Sequence, residues 1–148
     1  MLYADRPPEE LAGYSGFLMS FLGEKSRRRF IAALEPLGFH PREFGLMTVL
    51  AKRPGITQQE LAALARVDPS SMVALLDDLE ARGLAERRVD PIDRRRRAVL
   101  LTDEGRRQVQ LLKREARKAL EEFLAPLTAE ERQTLHQLLR KLAGLEPS

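Results

Sequence analysis

The stretch from residue 57 to residue 102, TQQELAALARVDPSSMVALLDDLEARGLAERRVDPIDRRRRAVLLT, constrains the fold more than any other part of the chain. Thr57 with Glu60 three residues on has the spacing of a capping box, in which hydroxyl and carboxylate satisfy free N–H groups reciprocally. Asp68-Pro69 marks a second helix start: the Asp accepts from unpaired amides, and Pro at the first helical position sacrifices no hydrogen bond. The link around Arg66 and Val67 is too short for the two helices to run on as one rod, so they cross as a helix-turn-helix. Gly83 closes the second helix in a left-handed conformation after Arg82. Beyond it, residues 84–89 and 97–101 are short, partly alternating runs flanking Asp90-Pro91-Ile92-Asp93, which predicts a two-stranded hairpin, or wing. Arg94, Arg95, Arg96 and Arg97 fall at its tip and second strand. Four successive guanidinium groups repel one another unless solvent or a polyanion surrounds them, and a phosphate backbone is the economical explanation.

The run LDDLEARGLAERRVDPIDRRRRAVLLTDEG resembles the signature of the MarR family of bacterial transcription regulators. Leu79, Glu80, Gly83 and Leu84 match its Leu-Glu-x-x-Gly-Leu helix end, Asp93, Arg94 and Arg95 its wing, and Val99, Leu101, Thr102 and Gly105 the lead into a long helix. The resemblance implies a mainly α fold with a small two-stranded β-wing, a winged helix-turn-helix carried on a helical dimerisation region. It further implies a homodimer that binds double-stranded DNA, represses transcription by occluding a promoter, and is released by a small-molecule effector.

The flanks of this stretch read as helices. Pro7 and Pro8 stop any helix before them, and residues 9–34 carry Leu11, Tyr14, Leu18, Phe21 and Leu22 at three- and four-residue spacings. Gly13, Gly16 and Gly23 weaken that helix, which therefore depends on packing. Residues 42–52 predict a second helix, completing with 57–65 and 69–82 the three helices of the module. Thr102, followed by two acidic residues, starts a long helix to about residue 124, with Val109, Leu112, Ala116, Leu120, Phe123 and Leu124 on one face. Pro126 ends it. Thr128 and Glu131 form another capping box, and Leu135, Leu138, Leu139 and Leu142 stripe a last helix ending near Gly144. Neither terminal stripe has enough neighbours within one chain, so the terminal helices are expected to interleave with those of a twin. One domain over 1–148 follows, with dimerisation helices at 9–35 and 103–144 and a DNA-binding lobe at 36–102.

Composition narrows the function classes. The 25 Lys and Arg nearly match 22 Asp and Glu, so a formal charge of +3 says little. Its distribution says more: six Arg lie between Arg87 and Arg97 against Asp90 and Asp93, whereas residues 57–102 carry eight charges of each sign. Cysteine is absent, which removes disulfides, thiolate metal sites and a thiol oxidation switch. His40 and His136 lie in different predicted elements, and no catalytic triad or metal-spaced cluster accompanies them, so neither an enzyme nor a metal or cofactor site is expected. No apolar run reaches the length of a membrane span and no signal pattern opens the chain, so a cytoplasmic location is the expectation.

The helix at 69–82 should present Pro69, Ser70, Ser71, Val73, Ala74 and Asp77 to DNA. Residues 69–81 contain no Arg, Lys, Asn or Gln, the side chains that grip guanine and adenine bidentately. Relatives carry Arg near the positions of Ala74 or Asp78; this chain does not. What remains is hydroxyls, apolar contact with thymine methyls, and the helix N-terminus toward phosphate. Direct readout is therefore modest, and discrimination falls to Arg94 or Arg95 in a narrow, A·T-rich minor groove. The resemblance assigns the minor-groove reader to Arg95, oriented by Asp93. Arg88, Arg96 and Arg97 are expected at phosphates, as are Gln58 and Gln59, for which solvent exposure is an equal alternative. Two modules on a two-fold axis would set their recognition helices about 34 Å apart and demand a pseudo-palindromic site. Relatives bind small anionic aromatic effectors between dimer helices and the DNA-binding lobe. The candidates here are Tyr14, Phe17, Phe21, His40, Arg42, Phe44 and Met47, with Arg42 a carboxylate partner. A rival reading, a winged-helix protein-interaction module that does not bind DNA, draws on Asp77, Asp78 and Glu80, whose charges offset the wing.

Overall fold

The computed structural model describes residues 6–146, which form two compact units. Residues 31–116 make one; the described residues up to 30 and from 117 onward make the other. In chain order there is a 3-10 turn at Glu9–Leu11, α1 (Ser15–Leu34), a second 3-10 turn at Glu35–Leu37, α2 (Pro41–Lys52), α3 (Gln58–Ala65), α4 (Pro69–Ala81), β1 (Ala85–Val89), β2 (Arg97–Leu101), α5 (Asp103–Phe123) and α6 (Ala129–Leu142). This is the mainly α, two-stranded architecture expected from sequence.

The first helix differs from expectation. It is not continuous from residue 9: Leu11, Ala12 and Tyr14 donate to carbonyls three residues back, and the first α-type bond is Leu18 N–H to Tyr14 O at 3.0 Å. Pro7 and Pro8 ahead of a short Glu9–Leu11 turn, with Gly13 behind it, leave too little chain to nucleate an α-helix. Gly16 and Gly23 are carried inside α1 without breaking it.

The caps fall where the sequence predicted. Thr57 N–H donates to Glu60 Oε2 at 3.0 Å and Glu60 N–H to Thr57 Oγ1 at 3.1 Å. The Thr128–Glu131 pair repeats this at 2.8 and 3.2 Å. Gly83 turns left-handed at φ +70°. His40 precedes Pro41 as the N-cap of α2, with its N–H donating to Glu43 Oε2 at 2.8 Å, a cap that its side chain had not advertised. Arg66, between α3 and α4, is the one non-glycine with positive φ, 52°, among the described residues, and it makes the turn that lets the two helices cross.

Every buried hydrophobic side chain among the described residues lies between Leu34 and Leu112. Met47, Leu50, Leu61, Met72, Leu76, Leu79, Val99 and Val109 draw α2 to α5 and the wing onto one core. In the other unit Leu120, Leu138, Leu139 and Leu142 stand 50–74% exposed, an apolar stripe that this chain leaves to water.

β1 and β2 pair antiparallel, from Ala85 opposite Leu101 to Val89 opposite Arg97. Residues 55–57 lie along the far side of β2: Gly55 N–H donates to Val99 O at 3.1 Å, Val99 N–H to Ile56 O at 2.8 Å, and Thr57 bridges Ala98. At the base of the wing, Gly105 passes so close to Leu84 that a Cβ there would sit 2.0 Å from the Leu84 carbonyl oxygen. A glycine is the residue that allows this approach.

Candidate nucleic-acid interface

The N-termini of α3 and α4 and the second wing strand converge on one groove of about 540 Å³, lined by Gln58, Gln59, Pro69, Met72, Arg95, Arg96 and Arg97 among others. Six residues expected at DNA from sequence alone are thereby brought together. Gln59 is exposed and Gln58 half-buried. Along α4, Pro69, Ser70, Val73, Ala74 and Asp77 are exposed and Ser71 half-buried, while Met72, Leu76 and Leu79 face the core.

The N-terminus of α4 is capped from within. Asp68 Oδ1 accepts the Ser71 N–H at 2.9 Å and the Ser70 hydroxyl at 2.6 Å, and Oδ2 accepts the Ser71 hydroxyl at 2.6 Å. These bonds, that from Ser70 first, hold the Asp68 carboxyl well below its usual range. Of the amides expected to face phosphate at this helix N-terminus, that of Ser71 is already satisfied, by a group that stays negative. Ser70 and Ser71 offer an acceptor oxygen rather than a free proton.

The wing tip is a built turn. Asp90 Oδ1 accepts the Ile92 N–H at 2.7 Å and the Asp93 N–H at 3.3 Å, and Asp90 N–H donates to Arg96 O at 3.1 Å. Asp93 Oδ1 accepts both the backbone N–H and the Nε–H of Arg95, at 3.0 and 3.3 Å. Those bonds keep the Asp93 carboxyl below its ordinary value. Arg95 itself remains 91% exposed, so Asp93 sets where its guanidinium leaves the turn without consuming it. Arg96 lies 3.8 Å from the other Asp93 oxygen, Arg97 donates to the Arg94 carbonyl at 3.0 Å, and Arg94 has no side-chain partner among the described residues. On β1, Arg88 is exposed and paired with Glu86.

Arg87 was not among the residues singled out from sequence, yet it makes the densest polar contacts of the wing. Its backbone N–H donates to Glu80 Oε1 and its Nη2 to Glu80 Oε2, both at 2.7 Å, and the same Nη2 pairs with Asp77. Two acidic residues three apart on α4, with an arginine just beyond the helix end, are the sequence signal that could have found it. Arg82, the C-cap residue of α4, is a second such anchor. Its Nη2 donates to Gly38 O at 2.9 Å, its guanidinium lies 4.2 Å from the Phe39 ring centroid, and Glu43 and Asp78 stand 3.7 and 3.5 Å away.

The effector candidates divide between the two units. Tyr14, Phe17 and Phe21 belong to one, where the Phe17 and Phe21 rings stack at 6.2 Å and Tyr14 is 66% exposed. His40, Arg42, Phe44 and Met47 belong to the other. There His40 is exposed, Met47 is fully buried in the core, and Arg42 borders a separate groove of about 370 Å³ between α2 and α3 with Leu46, Leu61, Leu64 and Arg66. Among the described residues no helix is long and apolar enough to cross a membrane, and no cluster of three or more His, Asp or Glu is placed to hold a metal.

Comparison with known proteins places this geometry. A family model described as MarR family matches residues 37–96. The HTH-type transcriptional repressor Rv2887 of Mycobacterium tuberculosis is 33% identical over 129 residues, covering 87% of this chain and 93% of the relative. The transcriptional regulator HosA of Escherichia coli is 36% identical over 100 residues, 68% of this chain and 74% of that protein. Among solved structures, the repressor CouR bound to a 23-mer DNA duplex superposes with a TM-score of 0.81 at 28% identity, over 95% of this chain and 99% of that one. CouR from Rhodococcus jostii bound to p-coumaroyl-CoA gives 0.75 at 29% identity, with the same coverage. With a relative this similar over nearly its whole length, and the same winged fold, the chain belongs to the MarR family of transcriptional regulators.

Proposed function

We propose that the protein is a homodimeric repressor that grips a pseudo-palindromic operator with two copies of this interface and releases it when a small molecule binds. The observation that carries the DNA-binding part is the shared groove: α3, α4 and the wing residues Arg95, Arg96 and Arg97 line one concave surface, and Arg94 next in sequence is exposed. In this reading Arg95, aimed by Asp93, enters a narrow minor groove, while Val73 and Ala74 make apolar contact in the major groove. Arg88, Arg94, Arg96, Arg97, Gln58 and Gln59 serve the phosphates. Ser70 and Ser71 accept from base edges, and Pro69 packs against the backbone.

Pairing with a twin is supported by the exposed leucines of α5 and α6, which a second copy would cover. Release by an effector is supported by CouR, a relative solved both with DNA and with p-coumaroyl-CoA. Of the effector candidates, Tyr14, Phe17, Phe21, Phe44, His40 and Arg42 are the ones with surface to offer, whereas Met47 is fully buried in the core. The role is regulatory and not enzymatic, and the site of action is the cytoplasm, where operator DNA is found. The rival reading as a protein-interaction module draws on Asp77, Asp78 and Glu80 offsetting the wing; Asp77 and Glu80 are spent on Arg87 and not on the arginines of the wing tip, which counts against it.

Selection of binding sites from random duplex, followed by titration at two salt concentrations, tests this. A two-fold related consensus with A·T pairs under the wing, and affinity falling steeply with salt, is the expected result. Weak, salt-insensitive association at both concentrations would overturn it.

A further inference from the structure

Arg87 differs from the other arginines of the wing in what surrounds it. Its side chain is 19% exposed, against 66% for Arg88 and 91% for Arg95. Asp77 and Glu80 are three residues apart and so share one face of α4. Glu80 holds both the backbone N–H and the guanidinium of Arg87, and Asp77, a turn earlier, closes on the same nitrogen. The arrangement is a clamp from the reading helix to the first wing strand. Swinging Arg87 out to a phosphate would strip two carboxylates of their partner next to a polyanion, a change that like-charge repulsion opposes. Nη2 carries two protons, so one nitrogen donates to both carboxylates while the backbone N–H takes the other Glu80 oxygen.

Resting on the DNA-binding reading above, we infer that Arg87 is a specificity-positioning residue: bridging Asp77 and Glu80, it locks the wing to α4 so that the two elements read DNA in fixed register. It acts through the helix and the wing and does not itself touch DNA. In the same role it neutralises acids on a helix that must approach phosphates, which explains why Asp77 is tolerated on the exposed face.

The test compares wild type with Arg87→Ala, Arg87→Lys and Asp77→Asn, each as the full chain, on the duplex selected by wild type and on random duplex. Circular dichroism and thermal melting are followed in parallel. Arg87→Ala should lower the ratio of selected to random affinity by about tenfold, within the range of couplings in such networks. The loss should concentrate at base pairs that also respond to Arg95→Ala, and the slope of log affinity against log salt should stay at the wild-type value. Arg87→Lys should recover part of the ratio. Asp77→Asn removes one repulsive charge and one arm of the clamp, so binding to random duplex should strengthen while the ratio falls by about threefold. A salt slope reduced by about one in Arg87→Ala would mean a direct phosphate contact and would overturn the inference. An unchanged ratio in Asp77→Asn would overturn it too, and this variant, altering an exposed side chain, decides the matter even if Arg87→Ala does not fold. Wild type that fails to bind any duplex in a salt-dependent way would sink the DNA-binding reading itself, a result distinct from either.

Discussion

The hydroxyl of Thr102 donates to the carbonyl oxygen of Gly83 at 2.6 Å. It also accepts the Gly105 N–H at 3.0 Å, while Thr102 N–H donates to Leu84 O at 3.0 Å. One residue thus caps α5, satisfies the end of α4 and closes the base of the wing. The fit leaves no room at Gly105, whose hypothetical Cβ meets the Leu84 carbonyl at 2.0 Å. Gly105→Ala should therefore destabilise the protein by roughly 3 kcal/mol, since backbone on both sides must move, and Thr102→Val by about 1–2 kcal/mol through lost capping. Urea denaturation measures both; a Gly105→Ala protein as stable as wild type would contradict the packing described.

The arginines of the wing should separate by how they act. Arg95→Ala is expected to weaken binding to the selected duplex by roughly 1–3 kcal/mol and to relax preference for A·T pairs under the wing. Arg97→Ala and Arg88→Ala should weaken selected and random duplex alike and reduce the salt slope by about one each. Fluorescence anisotropy at several salt concentrations distinguishes the two patterns, and an Arg95→Ala protein with intact base preference would remove Arg95 from its assigned role.

Acid should loosen the clamp in a particular window. Hydrogen bonds from Arg87, opposed by partial burial, hold Glu80 below its ordinary 4.5. Because its folded value lies below its unfolded one, its contribution to stability is complete above pH 4.5 and drains away as pH falls through the lower folded value. Glu80→Gln should lower stability at neutral pH and flatten this part of the acid limb. Unfolding midpoints across a pH series give the comparison; curves that run parallel down to the lowest pH would show that Glu80 contributes nothing there.

Pairing of two chains should depend on the leucines that one chain leaves bare. Leu138 is 53% and Leu142 74% exposed. Burying such side chains is worth roughly 2 kcal/mol each, so Leu138→Glu with Leu142→Glu should shift the protein from dimer to monomer at micromolar concentration and abolish binding to a full palindrome. Sedimentation velocity reads the first effect directly; an unaltered dimer would place the twin elsewhere.

How much of this was legible in the chain depends on the range of the interaction concerned. Thr57–Glu60, Asp68-Pro69, Gly83 and Thr128–Glu131 announce themselves because a cap is a local device, complete within four residues. The wing strands were equally plain, being bounded by turn residues. The break between Leu11 and Ser15 was not, since apolar spacing continues through it while only the backbone bonds change. Arg87 and Arg82 were missed for another reason: their partners come from other elements, and sequence lists charges without saying which face each other. The same limit made Asp68 look like a simple cap, when its two oxygens also hold the hydroxyls of Ser70 and Ser71.

Thr57 begins α3 and also bridges Ala98 of β2, with Gly55 and Ile56 bonded to Val99 beside it. The hairpin is accordingly not a detachable cassette. A chimaera that borrowed another regulator's wing by exchanging residues 84–101 alone would carry a foreign seam against residues 55–57, and the misfit would be felt first where α3 starts, far from the graft in sequence. Swaps meant to transfer operator preference should include that preceding segment.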